Sequence, residues 1–357
     1  MNFKPAVKQS FEKKVLILGP CSAESYEQLE LVVLSTKELN PDLIRAGVWK
    51  PRTRPGHFQG IGEKALEWIE DLSKKYACNF CTEVANAKHV EKCLEAGIKT
   101  LWIGARTTVN PFYVQEIADA VKGVNVNIMI KNPLNPDLYL WLGAIERIYE
   151  AGVNHISAIH RGFSFYGNSI YRNVPRWQIP LELRRRLPDL QLIADISHIS
   201  GTPEHLLEIA QISMDLNYDG LMVETHPNPQ QALSDADQQV TMEFLKNEIL
   251  GKLIQRSQST ADSEFNNRIN KIRANIDQID QHIIELLGER MLLAETIGDE
   301  KKLNGISIFQ PDRWNEIIQK LKSLALENGL SEEFVFSLIE AIHIESIQHQ
   351  SRKMNEG

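Results

Sequence analysis

The chain has 357 residues, 43% of them hydrophobic and 24% charged, a composition that suits one large globular domain joined to a smaller one. A formal net charge of −8 argues against sequence-independent nucleic-acid binding, which needs a basic surface. Cys21, Cys78, Cys81 and Cys93 form no small secreted framework, the N-terminus lacks the apolar centre of a signal peptide, and no apolar run approaches ~18 residues, so a cytoplasmic protein with no membrane partner is expected.

Eight strand candidates follow one another between residues 14 and 250. They are KVLIL (14–18), LIRAGV (43–48), NFCTEV (79–84), TLWIG (100–104), VNIMIK (126–131), HISAIH (155–160), QLIADIS (191–197) and GLMVET (220–225). An amphipathic stretch such as GEKALEWIEDLSKKY or NAKHVEKCLEAG follows each. Eight β-α units in roughly 240 residues have the count and length of a (β/α)8 TIM barrel. A doubly wound open sheet is the rival, but no glycine fingerprint for a dinucleotide follows the first strand. The barrel is assigned to residues 1–250.

Residues 251–264 are polar and break this rhythm, as a linker does. Residues 265–357 are expected to form a small all-α domain built on one long helix. Along it, Ile269, Ile272, Ile276, Ile279, Ile283, Leu286, Leu293 and Ile297 recur at heptad spacing, with Arg290 in the slot between Leu286 and Leu293. Two shorter helices are predicted over about 311–328 and 331–354.

A barrel places its active site where the strands end. Two chemical sets stand at these ends. Cys21, His198, Glu224 and Asp235 can together bind one divalent metal, and a mix of sulfur, nitrogen and oxygen donors suits manganese, iron, cobalt or zinc better than magnesium or calcium. Arg45, Lys50, Arg52, Arg106, Lys131 and Arg161 form a cationic ring that only multiply charged anions would neutralise. Glu83, Asp195 and His226 are weaker candidates, as readily supporting partners as reactants. The CNFC pair, Cys78 and Cys81, is disfavoured as a metal or redox site, because positions i and i+3 of a strand point to opposite faces.

The segments GPCSAE, RAGVWKPRTRPGHFQG, GART, HRG, SHISG and ETHPNPQQALSD closely resemble 3-deoxy-D-arabino-heptulosonate 7-phosphate synthase in its short microbial form, a relative of 3-deoxy-octulosonate 8-phosphate synthase. The resemblance covers about residues 10–250. It implies that Cys21, His198, Glu224 and Asp235 hold one divalent transition metal, manganese before iron, cobalt or zinc. Arg106, Lys131 and Arg161, beside Ala105, would hold phosphoenolpyruvate with Arg45 and Lys50 nearby. Arg52 and Thr53 would take the phosphate of erythrose 4-phosphate, and Lys50 is the expected proton donor to the new alkoxide. One departure is DISH at 195–198, where the family commonly reads Asp-Pro-Ser-His.

On the long helix, Lys301 lies eleven residues beyond Arg290 and almost on the same face, roughly 16 Å along the axis. Arg273 is about 25 Å away in the other direction, so it would reach that ligand only from an antiparallel second chain. The segment IRANIDQIDQHIIELLGERMLLAETIGDEKK resembles the all-helical chorismate mutase, covering about residues 264–354. The resemblance implies substrate contacts from Arg273 in trans, Arg290, Lys301, Arg313, Ser346 and Gln350, with Lys301 and Gln350 at the breaking ether bond. Gln310 and Trp314 depart from an Asp and a Glu that some members carry. A bifunctional enzyme is therefore expected: a metal-dependent synthase and a chorismate-to-prephenate mutase, a homodimer through the helical domain with a higher oligomer left open. The alternative makes the tail a regulatory and dimerising module that binds chorismate or prephenate, and prephenate is the expected inhibitor of the barrel.

Overall fold

The computed structural model describes residues 1–7, 14–52, 56–257 and 259–355. Among them, eight parallel strands close a barrel in sequence order. The strands are β1 (Val15–Gly19), β2 (Leu43–Arg45), β3 (Phe80–Val84), β4 (Thr100–Ile103), β5 (Asn127–Lys131), β6 (Ile156–His160), β7 (Gln191–Asp195) and β8 (Gly220–Glu224), and β8 pairs with β1 to complete the ring. The helices outside the ring are α1 (Tyr26–Thr36), α2 (Glu63–Tyr76), α3 (Ala87–Glu95), α4 (Ala105–Thr108), α5 (Pro111–Val121), α6 (Leu138–Glu150), α7 (Gln178–Arg186), α8 (Ile196–Ser200), α9 (Leu206–Asp215) and the single turn α10 (Met242–Phe244). No helix among the described residues is long and apolar enough to cross a membrane.

All eight predicted strands are present, because a parallel strand buried on both faces reads as an apolar run. Four end earlier than the sequence suggests, β4 and β8 by one residue and β2 and β7 by more. β2 stops at Arg45 because the next backbone bonds leave the regular ladder, with Val48 N donating to the Thr82 hydroxyl. β7 stops at Asp195, whose side chain accepts from His198 N and caps α8. Capping residues start other helices too: Ser25 for α1, Asn86 for α3, Asn110 for α5 and Asp137 for α6.

The period of two along each strand decides what enters the lumen. Val15, Ile17, Leu43, Cys81, Trp102, Met129, Ile159, Ile193 and Met222 fill it, with Ala6 and Val7 below them. Two residues further along the same inward rows stand Arg45, Glu83, Lys131, Arg161, Asp195 and Glu224. The same alternation that builds a dry core thus ends in a ring of charge. Cys81 belongs to the lumen while Cys78 sits outside it, its Sγ 3.8 Å from the Leu72 carbonyl, so the two thiols share no site.

Gly19 has φ +140°, and a Cβ there would collide with the Arg45 carbonyl oxygen. Gly19→Ala is expected to destabilise the barrel by about 2–4 kcal/mol from backbone strain and overpacking. Urea unfolding of the full chain checks this, and an unchanged midpoint would contradict it.

Contacts divide the chain into two units, Met1–Gln258 and Ser259–Gly357. The second contains α11 (Ser263–Leu303), α12 (Pro311–Glu327) and α13 (Glu332–Asn355). The apolar seam read from the sequence is not what packs inside this unit. Met291, Ala294 and Gly298 are the buried residues of α11, and a Cβ on Gly298 would press on the Gln350 backbone of α13 at 3.0 Å. The seam itself stays open, with Ile276 50% and Leu293 67% exposed. Helical period alone gives the stripe but not the element that covers it.

Candidate active site

At the C-terminal mouth of the barrel one cavity is lined by Lys50, Arg52, Arg106, Lys131, Arg161 and Arg172, against the carboxylates of Glu83 and Asp235, with Ala105 and His198 also on its wall. Thr53 lies outside the described residues. A larger cavity of about 490 Å³ opens at the opposite end, beside Val7, Asn79 and Lys99, but the inward charged rows converge on the C-terminal mouth.

Trp102 forms the floor. The Arg45 guanidinium lies 5.2 Å and the Lys131 ammonium 5.5 Å from its ring centre, and its indole N–H donates to Glu83 at 3.1 Å. Such contacts help hold two cations in a dry place. Arg45 is fully buried and meets Glu224 Oε1 at 2.8 Å and Asp195 Oδ2 at 3.8 Å. Lys131 meets Asp195 Oδ2 at 2.7 Å. Burial pulls Lys131 below the ordinary lysine value, and pulls Arg161 down to about 10. Burial would raise Asp195, but His198, Lys131 and Arg45 outweigh it and hold the carboxyl well below the usual range. The side chain of Arg161 donates to Asn173 Oδ1 at 2.6 Å, and its backbone N–H to Asn132 Oδ1 at 2.7 Å.

The four sulfur, nitrogen and oxygen donors arrive as two pairs. Cys21 Sγ is 3.2 Å from Asp235 Oδ2, and His198 Nδ1, hydrogen-bonded to Asp195 Oδ1 at 3.0 Å, is 3.7 Å from Glu224 Oε1. Among the described residues no three His, Cys, Asp or Glu groups already converge as a metal cluster. The pairs nonetheless share one electrostatic neighbourhood. Burial first, then Glu224, pushes the Cys21 thiol up to about 12, and His198 is one of the charges that lower Asp235. Burial lowers His198, which favours the neutral imidazole that a metal requires. Lys50 Nζ stands 3.0 Å from Cys21 Sγ, and although burial opposes it, Cys21, Glu224 and Glu83 raise its pKa and keep it protonated. Arg52 approaches Asp235 at 3.6 Å. Ile196, the departure from Asp-Pro-Ser-His, is the first helical residue of α8 and is buried in the core, so His198 keeps its capped turn.

Several side chains in this site escaped the sequence reading. Arg172 binds Asp235 Oδ1 at 3.0 Å, Gln239 accepts from Cys21 N at 2.9 Å, and Asn173 donates to the His198 carbonyl at 2.6 Å. The available signals were YRN at 171–173 and the glutamine pair after SDAD, both beyond the residues just past a strand. Among the weaker candidates, Glu83 and Asp195 join the charged ring, whereas His226 Nε2 faces Glu24 at 3.6 Å. His160 is structural. Its Nε2 bonds the Pro175 carbonyl at 2.6 Å, Tyr218 donates to Nδ1 at 2.9 Å, and burial drives its pKa down to about 3.

In the helical unit, α11 and α13 bring four of the expected residues together. Arg290 Nη1 donates to Ser346 Oγ, and Lys301 Nζ lies 3.2 Å from Gln350 Oε1 and 2.5 Å from the Ile308 carbonyl. Arg313 is not brought in: its side chain is 68% exposed and pairs with Glu316 at 2.9 Å. Arg273 is exposed on the N-terminal half of α11. Trp314 stacks on His343 at 4.2 Å, and the buried His343 Nε2 has no hydrogen-bond partner, while Arg290 and Lys301 help lower the pKa of this ring after burial. His343 was not singled out from the sequence, because a lone histidine on a helix carries no pattern of its own.

Comparison with known proteins agrees with this division. The family model described as DAHP synthetase I matches residues 6–259, and the one described as chorismate mutase type II matches 272–351. The phospho-2-dehydro-3-deoxyheptonate aldolase of Thermotoga maritima is 28% identical over 248 residues, 70% of either chain. The 2-dehydro-3-deoxyphosphooctonate aldolase of Bartonella quintana is 25% identical over 256 residues, 65% of this chain and 86% of that one. A crystal structure of the Thermotoga aldolase superposes with a TM-score of 0.58 at 27% identity, covering 66% of each chain.

Proposed function

The chain belongs to the DAHP synthetase I family and carries a chorismate mutase type II domain, and on that premise we propose a bifunctional, cytoplasmic shikimate-pathway enzyme. Its barrel would condense phosphoenolpyruvate with erythrose 4-phosphate, and its helical domain would rearrange chorismate to prephenate. The observation that supports the first activity best is the cavity at the strand ends, where six cations face two carboxylates beside a thiol and an imidazole. A site so charged calls for polyanionic ligands.

The donor chemistry of Cys21, His198, Glu224 and Asp235 fits a divalent transition metal, manganese first, with iron, cobalt and zinc as alternatives. Glu224 Oε1 is fully buried, 2.8 Å from the Arg45 guanidinium and 3.7 Å from His198 Nδ1, so a carboxylate oxygen and an imidazole already stand side by side in a dry place, as ligands of one ion would. When bound, such a metal supplies Lewis-acid polarisation of the aldehyde. The protein's own residues do the rest. Lys131, Arg161 and Arg106 hold phosphoenolpyruvate above Trp102, with Arg45 beneath and Ala105 at the side, so that its methylene carbon faces the aldehyde. Arg52 and Thr53 hold the phosphate of erythrose 4-phosphate. The methylene carbon forms the new C–C bond, cationic character develops at the neighbouring enol carbon, and water adds there as phosphate departs. Lys50 is protonated and stands beside Cys21, and it delivers the proton to the new alkoxide. Holding two anions that repel each other is both an orienting and an electrostatic contribution.

For the mutase, Arg290, Lys301, Ser346 and Gln350 form half of a cage, and Arg273 of the partner subunit completes it. The exposed seam of α11 supports that dimer. Ile276→Lys should break it, turning a dimer into monomers by analytical ultracentrifugation and lowering chorismate turnover at least about tenfold through loss of one cationic contact. Monomers that keep full turnover would refute the shared site. Arg313 joins this cage only by leaving Glu316.

The test of bifunctionality is to assay the purified full chain for both reactions. Chorismate binding without turnover would favour the second reading, a regulatory tail through which prephenate slows the barrel. Trp314 and His343, in place of an acidic side chain near the cage, are the observation that favours it.

A further inference from the structure

Asp235 and Glu224 are joined by a bridge that involves neither the cations of the ring nor the thiol. Arg172, in the loop after β6, donates from Nη2 to Asp235 Oδ1 at 3.0 Å and from Nη1 to Gln238 Oε1. Gln238 is fully buried and donates from Nε2 to Glu224 Oε2 at 2.5 Å. Each carboxylate therefore has one oxygen held by this bridge, while its other oxygen meets different partners. Asp235 Oδ2 faces Cys21 Sγ at 3.2 Å, and Glu224 Oε1 lies 2.8 Å from Arg45 Nη2 and 3.7 Å from His198 Nδ1. An amide is suited to the middle of this chain because it offers an acceptor to a guanidinium and a donor to a carboxylate at once. A glutamate there would repel Glu224, and a lysine would repel Arg172.

The backbone under Arg172 ties the bridge to the third donor. Arg172 N donates to the Ser200 carbonyl at 3.0 Å, and Asn173 Nδ2 to the His198 carbonyl at 2.6 Å, both at the short helix that carries His198. The Arg172 side chain is 46% exposed, so solvent reaches it from the cavity while Gln238 anchors its inner end.

We propose that Arg172 and Gln238 are positioning residues that set the separation and orientation of Asp235 and Glu224, and thereby the affinity and coordination geometry of the divalent-metal site. This inference rests on the metal reading given above. Residues that orient metal ligands typically change affinity 10–100-fold when replaced.

The test uses the full chain, stripped with chelator and titrated with Co²⁺. The readouts are the thiolate-to-cobalt absorption band, the visible d–d bands and the thermal midpoint of the metal-free protein. Arg172→Gln and Gln238→Met are each expected to weaken Co²⁺ binding about 10–100-fold and to alter the d–d bands. Arg172→Lys, which can reach only one of its two acceptors, should recover part of the affinity. If Arg172→Gln does not fold, Gln238→Met alone decides. A wild-type protein with no thiolate–cobalt band would sink the metal reading itself. A wild-type band together with unchanged affinity in Arg172→Gln and Gln238→Met would overturn only this inference, as would weaker binding with unaltered d–d bands, the sign of a loosened scaffold.

Discussion

Replacing Cys21 by serine is expected to lower synthase turnover at least about a thousandfold while chorismate rearrangement continues. The substitution keeps the volume of a fully buried side chain, so the barrel should survive it. It removes the sulfur. Burial and Glu224 push the Cys21 thiol up to about 12, so a thiolate forms there only when a strongly thiolate-binding cation displaces the proton. A serine hydroxyl cannot be deprotonated so readily and is a poor ligand for soft metals. Lewis-acid catalysis contributes several kcal/mol, and about 4 kcal/mol corresponds to the thousandfold loss. Steady-state assays of both reactions, with metal content measured on the same sample, check it. Synthase activity within tenfold of wild type would show that sulfur is not needed.

Lys301→Met should have the mirror-image effect, with chorismate turnover falling about 10²–10³-fold and the synthase reaction unchanged. The lysine is held by the Ile308 carbonyl and faces Gln350 Oε1 at 3.2 Å, with Arg290 on Ser346 in the same cage. Losing one preorganised donor to developing oxygen charge typically has this magnitude. Methionine keeps the length of the stem and so isolates the charge. A pH profile sharpens the test. Burial lowers the Lys301 pKa, and the charged form is the protonated one, so charge is lost earlier as pH rises. The alkaline limb of kcat/KM for chorismate should therefore fall below the ordinary lysine value of 10.5, and Lys301→Arg should move it upward. A limb that stays in place in Lys301→Arg would assign it to another group.

The barrel was legible because its strands are buried apolar runs, and the inward rows of six of the eight end in a charged residue. Reading the residue past each strand therefore singled out Lys131 and Arg161, which line the cavity, and Arg45 and Glu224, which form a buried ion pair. Arg172 and Gln238 were not legible in the same way. They lie in the middle of loops, where no period of two or 3.6 fixes direction, and their partners are 63 and 14 residues distant along the chain. The helical domain shows the opposite limit. The stripe from Ile269 to Ile297 was plain, yet the buried row of α11 is Met291, Ala294 and Gly298, two of them small, with Gly298 close against the Gln350 backbone of α13. Small residues let helices approach closely, which a hydrophobicity pattern alone does not reveal.

Everything said of the synthase depends on one ion drawing Cys21, His198, Glu224 and Asp235 into a single shell. X-ray absorption at the metal edge of the loaded full chain measures this directly. The account predicts one sulfur neighbour at roughly 2.3 Å, with nitrogen and oxygen completing the shell, and loss of the sulfur in Cys21→Ser. A shell of nitrogen and oxygen alone in the wild-type protein, or full synthase activity after complete chelation, would contradict it.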